Sequence, residues 1–229
     1  MTTILRAAAC AAALSLGSAA SATVLTFDQS SRGVPTDGTP APIATDYGDR
    51  VGGTGDGYTY GVGEEGFTPN VQVGFGSPDP VVVSGGFGDL TNVLFEATPG
   101  EDPIVGFQAD EGFVVQLFGF QLASQADVVV DSIAVFDDQG LLFELPDVQL
   151  FGSGSTEIDF VGLTGGPLVG RQLDVRVVLD SLGDASTGVA VDTFRFGQAP
   201  VDAEVVPLPG ALALLATGLA GLGLARRRG

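Results

Sequence analysis

The sequence predicts an all-β protein, an antiparallel β-sandwich of the lectin-like or galactose-binding-like jelly-roll type, and three observations carry that reading. Short apolar runs alternate with polar residues at a period of two, the signature of half-buried strands. The 35 glycines and 13 prolines fall between these runs, where turns would be, and no long stretch keeps a helical period. Hydrophobic residues make up 45% of the chain at a mean hydropathy of +0.35, enough to fill a core between two sheets.

Taken in order, Val24–Phe27 is the first candidate strand, and Ser30–Gly57, rich in Gly, Pro, Thr and Asp, reads as a long loop. Val71–Phe75, Val81–Val83, Val93–Phe95 and Ile104–Gln108 follow as short strands. Phe113–Leu122 changes its apolar face near Gly119, which predicts a bulge or a bend there. Ser132–Leu145 reads as a hairpin turning at Asp137-Asp138-Gln139-Gly140. Thr156–Phe160 points Ile158 and Phe160 inward and Glu157 and Asp159 outward. Gln172–Asp180 alternates with Leu173, Val175, Val177 and Leu179 on one face. In Gly188–Phe196 the same alternation sets Ala190, Asp192, Phe194 and Phe196 opposite Val189, Val191 and Thr193. That makes about ten strands and no helices in one domain without internal repeats.

The two ends read differently from the middle. Met1–Ala22 has a positive Arg6, an apolar run over Ala7–Leu16 and a small-x-small site at Ala20-Ser21-Ala22, the plan of a cleaved secretory signal peptide. At the other end Gly210–Ala225 is apolar and runs into Arg226-Arg227-Arg228. As a helix it would reach about 24 Å, short of a hydrocarbon core of roughly 30 Å, with Leu208 and snorkelling arginines to extend it. Positive-inside logic puts the arginines in the cytoplasm and the domain outside. The expected organisation is therefore 1–22 signal peptide, 23–205 sandwich and 206–229 hydrophobic tail.

Val206-Pro207-Leu208-Pro209-Gly210, the apolar span and Arg226-Arg227-Arg228 together resemble the PEP-CTERM sorting signal in its Val-Pro-Leu-Pro-Ala variant, with Gly210 in place of the Ala. The resemblance implies handling by signal peptidase and the secretion machinery, transient residence in the inner membrane and processing by an exosortase. It also implies delivery to the cell envelope, surface or exopolysaccharide matrix of a biofilm-forming Gram-negative bacterium. Inside the domain, Thr45–Val51, Tyr58–Gly61, Phe67–Val71 and Val191–Phe196 resemble a subset of such exported proteins that has no assigned activity. The last segment usually reads Leu-Asp-Asn-Ile-x-Phe there, so Thr193 replaces an Asn.

Composition excludes several chemistries. There is no His, and the single cysteine, Cys10, lies inside the signal segment. Ser-His and Cys-His nucleophiles, His-bound metals and thiolate zinc sites are therefore absent from the exported domain. Four of the nine basic residues lie in terminal segments that hold no acid. Five arginines against 28 acidic residues remain in between, a net charge of −23 that opposes nucleic-acid binding. Gly52–Gly57 lacks the Lys and following helix of a phosphate loop.

The remaining candidates are carboxylates and tyrosines. Asp192, placed beside two Phe, needs a partner, and Asp28 at the end of the first strand would complete a structural Ca²⁺ site of the kind lectin-like jelly rolls use. The alternative is that Asp192 accepts backbone N–H groups or pairs with Arg195 or Arg50. Tyr47, Tyr58 and Tyr60 are the only tyrosines and the candidate sugar platforms, against the alternative that they pack with satisfied hydroxyls. Glu64-Glu65, Glu101-Asp102 and Asp137-Asp138 read as solvated turns. The expected function is a non-catalytic polysaccharide-binding envelope protein, with a carboxylate-dependent glycan-active enzyme or a purely structural surface protein as alternatives.

Overall fold

A computed structural model describes residues 22–27, 39–52, 66–76, 80–98, 101–179 and 188–201. Among them are thirteen strands and one short helix. The strands are β1 (Thr23–Leu25), β2 (Ala41–Pro42), β3 (Val71–Phe75), β4 (Pro80–Phe87), β5 (Leu90–Glu96), β6 (Ile104–Ala109) and β7 (Phe113–Ser124). They continue with β8 (Val128–Asp137), β9 (Gly140–Leu150), β10 (Ser155–Asp159), β11 (Leu168–Gly170), β12 (Gln172–Val178) and β13 (Val189–Pro200). Helix α1 (Phe160–Thr164) follows β10. The described residues up to Ala199 belong to one compact unit, and only the start of the second, 200–229, is described. No helix among the described residues is long and apolar enough to cross a membrane. Met1–Ser21 and the segment from Asp202 to the end, with the sorting motif Val206–Gly210 and Arg226–Arg228, lie outside the described residues.

Two antiparallel sheets make the expected sandwich. One has eight strands, ordered β10-β7-β13-β5-β4-β2, with β1 added to β13 and β11 to β7; the other runs β3-β6-β12-β8-β9. The pairing is nested. The β8–β9 hairpin is innermost, β7 takes β10 and β11, β6 takes β12, and β5 takes β13. A chain folded back on itself this way and wrapped into two sheets is a jelly roll. The central hairpin turns where the sequence places it: the Asp137 carboxylate accepts the N–H of Gln139 and of Gly140 at 2.8 and 3.0 Å.

The core lies between the sheets. Phe107 from the five-stranded sheet meets Phe194 and Phe196 of the other at ring separations of 5.7 and 4.8 Å, and Phe194 stacks on Phe120 at 5.0 Å. All four rings are fully buried. Each contributes roughly 1.5–3 kcal/mol by burial, and each ring pair about 0.5–1.5 kcal/mol beyond it.

Two neighbouring strands each slip by one residue. On β7, Val115 and Leu117 face the core and then Phe120 and Leu122 do, with Gly119 at the change, as expected. The strand passes from β11, paired at Val115–Leu117, to β10, paired from Gly119 onward. A Cβ on Gly119 would stand 2.3 Å from the Ile158 carbonyl oxygen, so only glycine lets β10 approach. On β13 the core-facing residues are Val189 and Val191, then Phe194 and Phe196. Thr193, at φ 52°, supplies the extra residue. Here the strand passes from β5, paired at Ala190–Val191, to β1, paired at Phe194–Phe196.

That slip corrects the alternation expected for Gly188–Phe196. Asp192 does not share a face with Phe194 and Phe196; it follows Ala190, whose cluster with Phe87, Val93 and Ala123 lies apart from the main core. A left-handed residue transposes the faces beyond it, and strict period-two reading carries the wrong phase through. Two other expectations change. Phe160 begins a one-turn helix that ends at Gly165 in the left-handed conformation, so the chain is not helix-free. Within the expected long loop, β2 pairs with β4, and Tyr47 and Val51 are buried in the core.

Candidate functional site

Tyr47 takes the packing alternative. It is 1% exposed, donates its hydroxyl to the Thr26 carbonyl at 2.6 Å and stacks on Phe27 at 5.6 Å, so its ring is unavailable as a sugar platform. Tyr58 and Tyr60 lie outside the described residues, as does Asp28. Asp192 is buried, and its Oδ1 accepts the Thr193 N–H at 2.6 Å, the backbone alternative to a calcium role. Among the described residues no group of three or more His, Cys, Asp or Glu side chains could hold a metal ion. Arg50 forms a two-bond pair with Asp110, at 2.5 and 2.7 Å, and Arg195 pairs with Glu157.

What the fold does assemble is a groove on the outer face of the five-stranded sheet. Along β3, β6 and β12, alternation sends Val73, Phe107 and Leu173 into the core and their neighbours outward. The register then aligns those neighbours in two rows across three strands. Gln72, Gln108 and Gln172 make one row; Gly74, Gly106 and Asp174 make the next. The amides form a rim of donors and acceptors, and the two glycines lower the floor beside it. A Cβ on Gly106 would stand 2.7 Å from Asp174 Oδ1, so the carboxylate leans across the glycine; above Gly74 the space is open.

The turn over residues 44–50 builds the opposite wall along the edge of β3. Arg50 donates its backbone N–H to the Val71 carbonyl at 2.8 Å, and Asp49 Oδ1 accepts the Val73 N–H at 2.6 Å. Thr45 and Asp49 thereby face the floor across a cavity of about 360 Å³. That lies within the size range of small-ligand pockets. Burial pushes the Asp49 carboxyl above its ordinary value; the Val73 N–H pulls it down, Asp46 pushes it up again and Arg50 pulls it down. Gln172 Nε2 donates to Asp174 Oδ2 at 2.7 Å, which orients that carboxylate. The groove offers hydroxyl-directed hydrogen bonding from amides and carboxylates, with no basic lining residue among the described residues.

Sequence reasoning did not find this site, because its residues come from three strands and a turn over a hundred positions apart. The available signal was that Gln72, Gln108 and Gln172 each occupy an outward position next to a core residue. It also missed Asp102, expected in a solvated turn. Asp102 is 5% exposed, accepts the Leu179 N–H at 2.8 Å and pairs with Arg176. It is a structural tie between the β5–β6 connection and the end of β12.

A second, more apolar cavity of about 440 Å³ lies beside α1, lined in part by Leu145, Pro146, Ile158 and Leu163 with Glu157 and Asp159. Those two carboxylates lie 2.5 and 4.0 Å from the Arg195 guanidinium.

No family model matches the chain, and no curated protein matches it. Among solved structures, the enzymatically active domain of tailspike protein 4 of bacteriophage CBA120 is similar over 57% of this chain and 19% of that one. The identity is 17% and the TM-score 0.25, so the likeness assigns no activity. The protein spans about a fifth of that chain.

Proposed function

We propose that this chain is an exported, exosortase-sorted jelly-roll protein of the cell envelope or extracellular matrix that binds polysaccharide weakly and does not cleave it. The observation that supports the reading best is the pair of in-register rows, Gln72-Gln108-Gln172 and Gly74-Gly106-Asp174, which cut a polar groove across three strands. A linear polymer of hydroxyl-bearing rings fits an open groove whose lining is amide and carboxylate. With no exposed aromatic ring among the described groove residues, stacking adds little and binding is weak. Delivery to the surface rests on the signal-like start and the Val206–Gly210 and Arg226–Arg228 tail.

The test is a glycan array with a reducing-sugar release assay on the same chain, compared with Gly74→Tyr. The open space above Gly74 admits a side chain, so this variant fills the groove and leaves the fold intact. Loss of glycan binding at unchanged thermal stability supports the reading. Release of reducing ends, abolished by Glu157→Gln, Asp159→Asn or Asp174→Asn, overturns it in favour of a carboxylate-dependent enzyme. Intact-mass measurement with and without the processing enzyme tests the sorting half: an unchanged C-terminus in both refutes it.

A further inference from the structure

Resting on the polysaccharide reading, we propose that the β3–β6–β12 groove selects glycans carrying free amino groups, a polymer of de-N-acetylated hexosamine, over N-acetylated or uronate-bearing ones. Among the described residues, two carboxylates and no basic side chain line the cleft. Each is held by one oxygen only: Asp49 Oδ1 by the Val73 N–H, Asp174 Oδ2 by the Gln172 amide. Among the described residues neither second oxygen has a hydrogen-bond partner, and Asp174 Oδ1 lies directly over the glycine floor at Gly106. Carboxylates oriented by a neighbouring N–H, with one acceptor left open toward a cleft, are matched to a donor with several protons and a positive charge. An ammonium group has both, and charge-assisted hydrogen bonds are roughly twice as strong as neutral ones.

The nearby arginines lie outside the cleft lining, and the Arg50 charge is the smallest of the four influences on the Asp49 carboxyl. Arg50 is committed to Asp110 and Arg176 to Asp102, and Arg171, exposed beside Gln172, is not among the lining residues. Burial already disfavours the Asp49 anion, and a bound cation relieves that penalty. An N-acetyl group presents one N–H and a carbonyl to these acceptors, and a uronate brings a third negative charge to an acidic domain.

The experiment is isothermal titration of the full-length chain with matched-length oligomers of glucosamine, N-acetylglucosamine and a uronic acid at one ionic strength. The glucosamine oligomer is expected to bind at least about tenfold more tightly than the N-acetylated one, equivalent to about 1.4 kcal/mol. Asp174→Asn and Asp49→Asn keep the protein-facing hydrogen bonds and are each expected to weaken it about fivefold or more. Asp127→Asn, exposed at the opposite end of β8 from the Phe136–Asp174 pairing, is expected to change nothing. Equal weakening by Asp127→Asn, or none by the groove variants, overturns the proposal as general attraction to an acidic protein. Equal or tighter binding of the N-acetylated oligomer, abolished by Gly74→Tyr, overturns amine selection but leaves the glycan groove standing. No binding of any oligomer removes both.

Discussion

Thr193 is the residue on which the final strand turns over its faces, and replacing it with Asn should stabilise the protein. At φ 52° it occupies the left-handed region, where a β-branched residue is a true outlier and Asn is several-fold enriched. Conformations of this kind cost about 1–3 kcal/mol. Asn removes the branch at Cβ and should recover about 0.5–1 kcal/mol of that cost. For a domain of this size the gain is about 1–4 °C in Tm. Thr193→Gly relieves the strain completely but gives back roughly 0.5–1 kcal/mol through the greater freedom of the unfolded chain. Thr193→Val keeps the branch and the strain. Thermal unfolding should therefore rank Asn first, with Gly near wild type and Val no better. An Asn variant that melts below wild type, or a Val variant that gains as much as Asn, would refute the strain argument. The site is consequential because Phe194 and Phe196 reach Phe107 only after the slip; an extended Thr193 would send both rings to the other face.

Other outcomes follow from the same geometry. Gly119→Ala forces a Cβ to within 2.3 Å of the Ile158 carbonyl and should destabilise by about 2–4 kcal/mol, read by denaturant titration. Asp102→Ala strands the Leu179 N–H and should cost about 1–3 kcal/mol; Arg176, largely exposed, rehydrates and adds little. Tyr47→Phe removes one buried hydrogen bond to Thr26, a loss of about 1 kcal/mol by the same assay. Two carboxylates should respond to pH with opposite signs. The Asp49 pKa is raised by burial, so the folded state binds that proton more tightly and its contribution is best below the ordinary value of 3.8. It declines as pH rises through the raised pKa, so Asp49→Asn should gain on wild type in Tm between acid and neutral pH. The Asp110 pKa is lowered, first by its hydrogen bonds to Arg50, so its stabilisation is present above 3.8 and lost as pH falls through the lowered value. Asp110→Asn should accordingly be destabilised at neutral pH and approach wild type in acid.

The sandwich was legible in the sequence because alternation is a local property that two-sided burial imposes on every strand. Gln172–Asp180, the Asp137–Gly140 turn and the face change at Gly119 all carry that mark in the residues themselves. The slip at Thr193 left none, since Thr is ordinarily a good strand residue and only the handover from β5 to β1 demands its conformation. The same limit applies to the site. Asp192 and Tyr47 drew attention as chemically distinctive residues, yet both are buried, and burial depends on which strands close over them. Gln72, Gln108 and Gln172 are unremarkable along the chain. Non-local registry alone places them side by side, with Asp174 over a glycine floor and Asp49 across from it. By itself the sequence determined the class of fold, the charge, the missing His and Cys chemistry and the two distinctive ends. Tertiary structure decided which carboxylates are ties and which line a groove, because strand pairing across a hundred residues sets neighbours that no local pattern encodes.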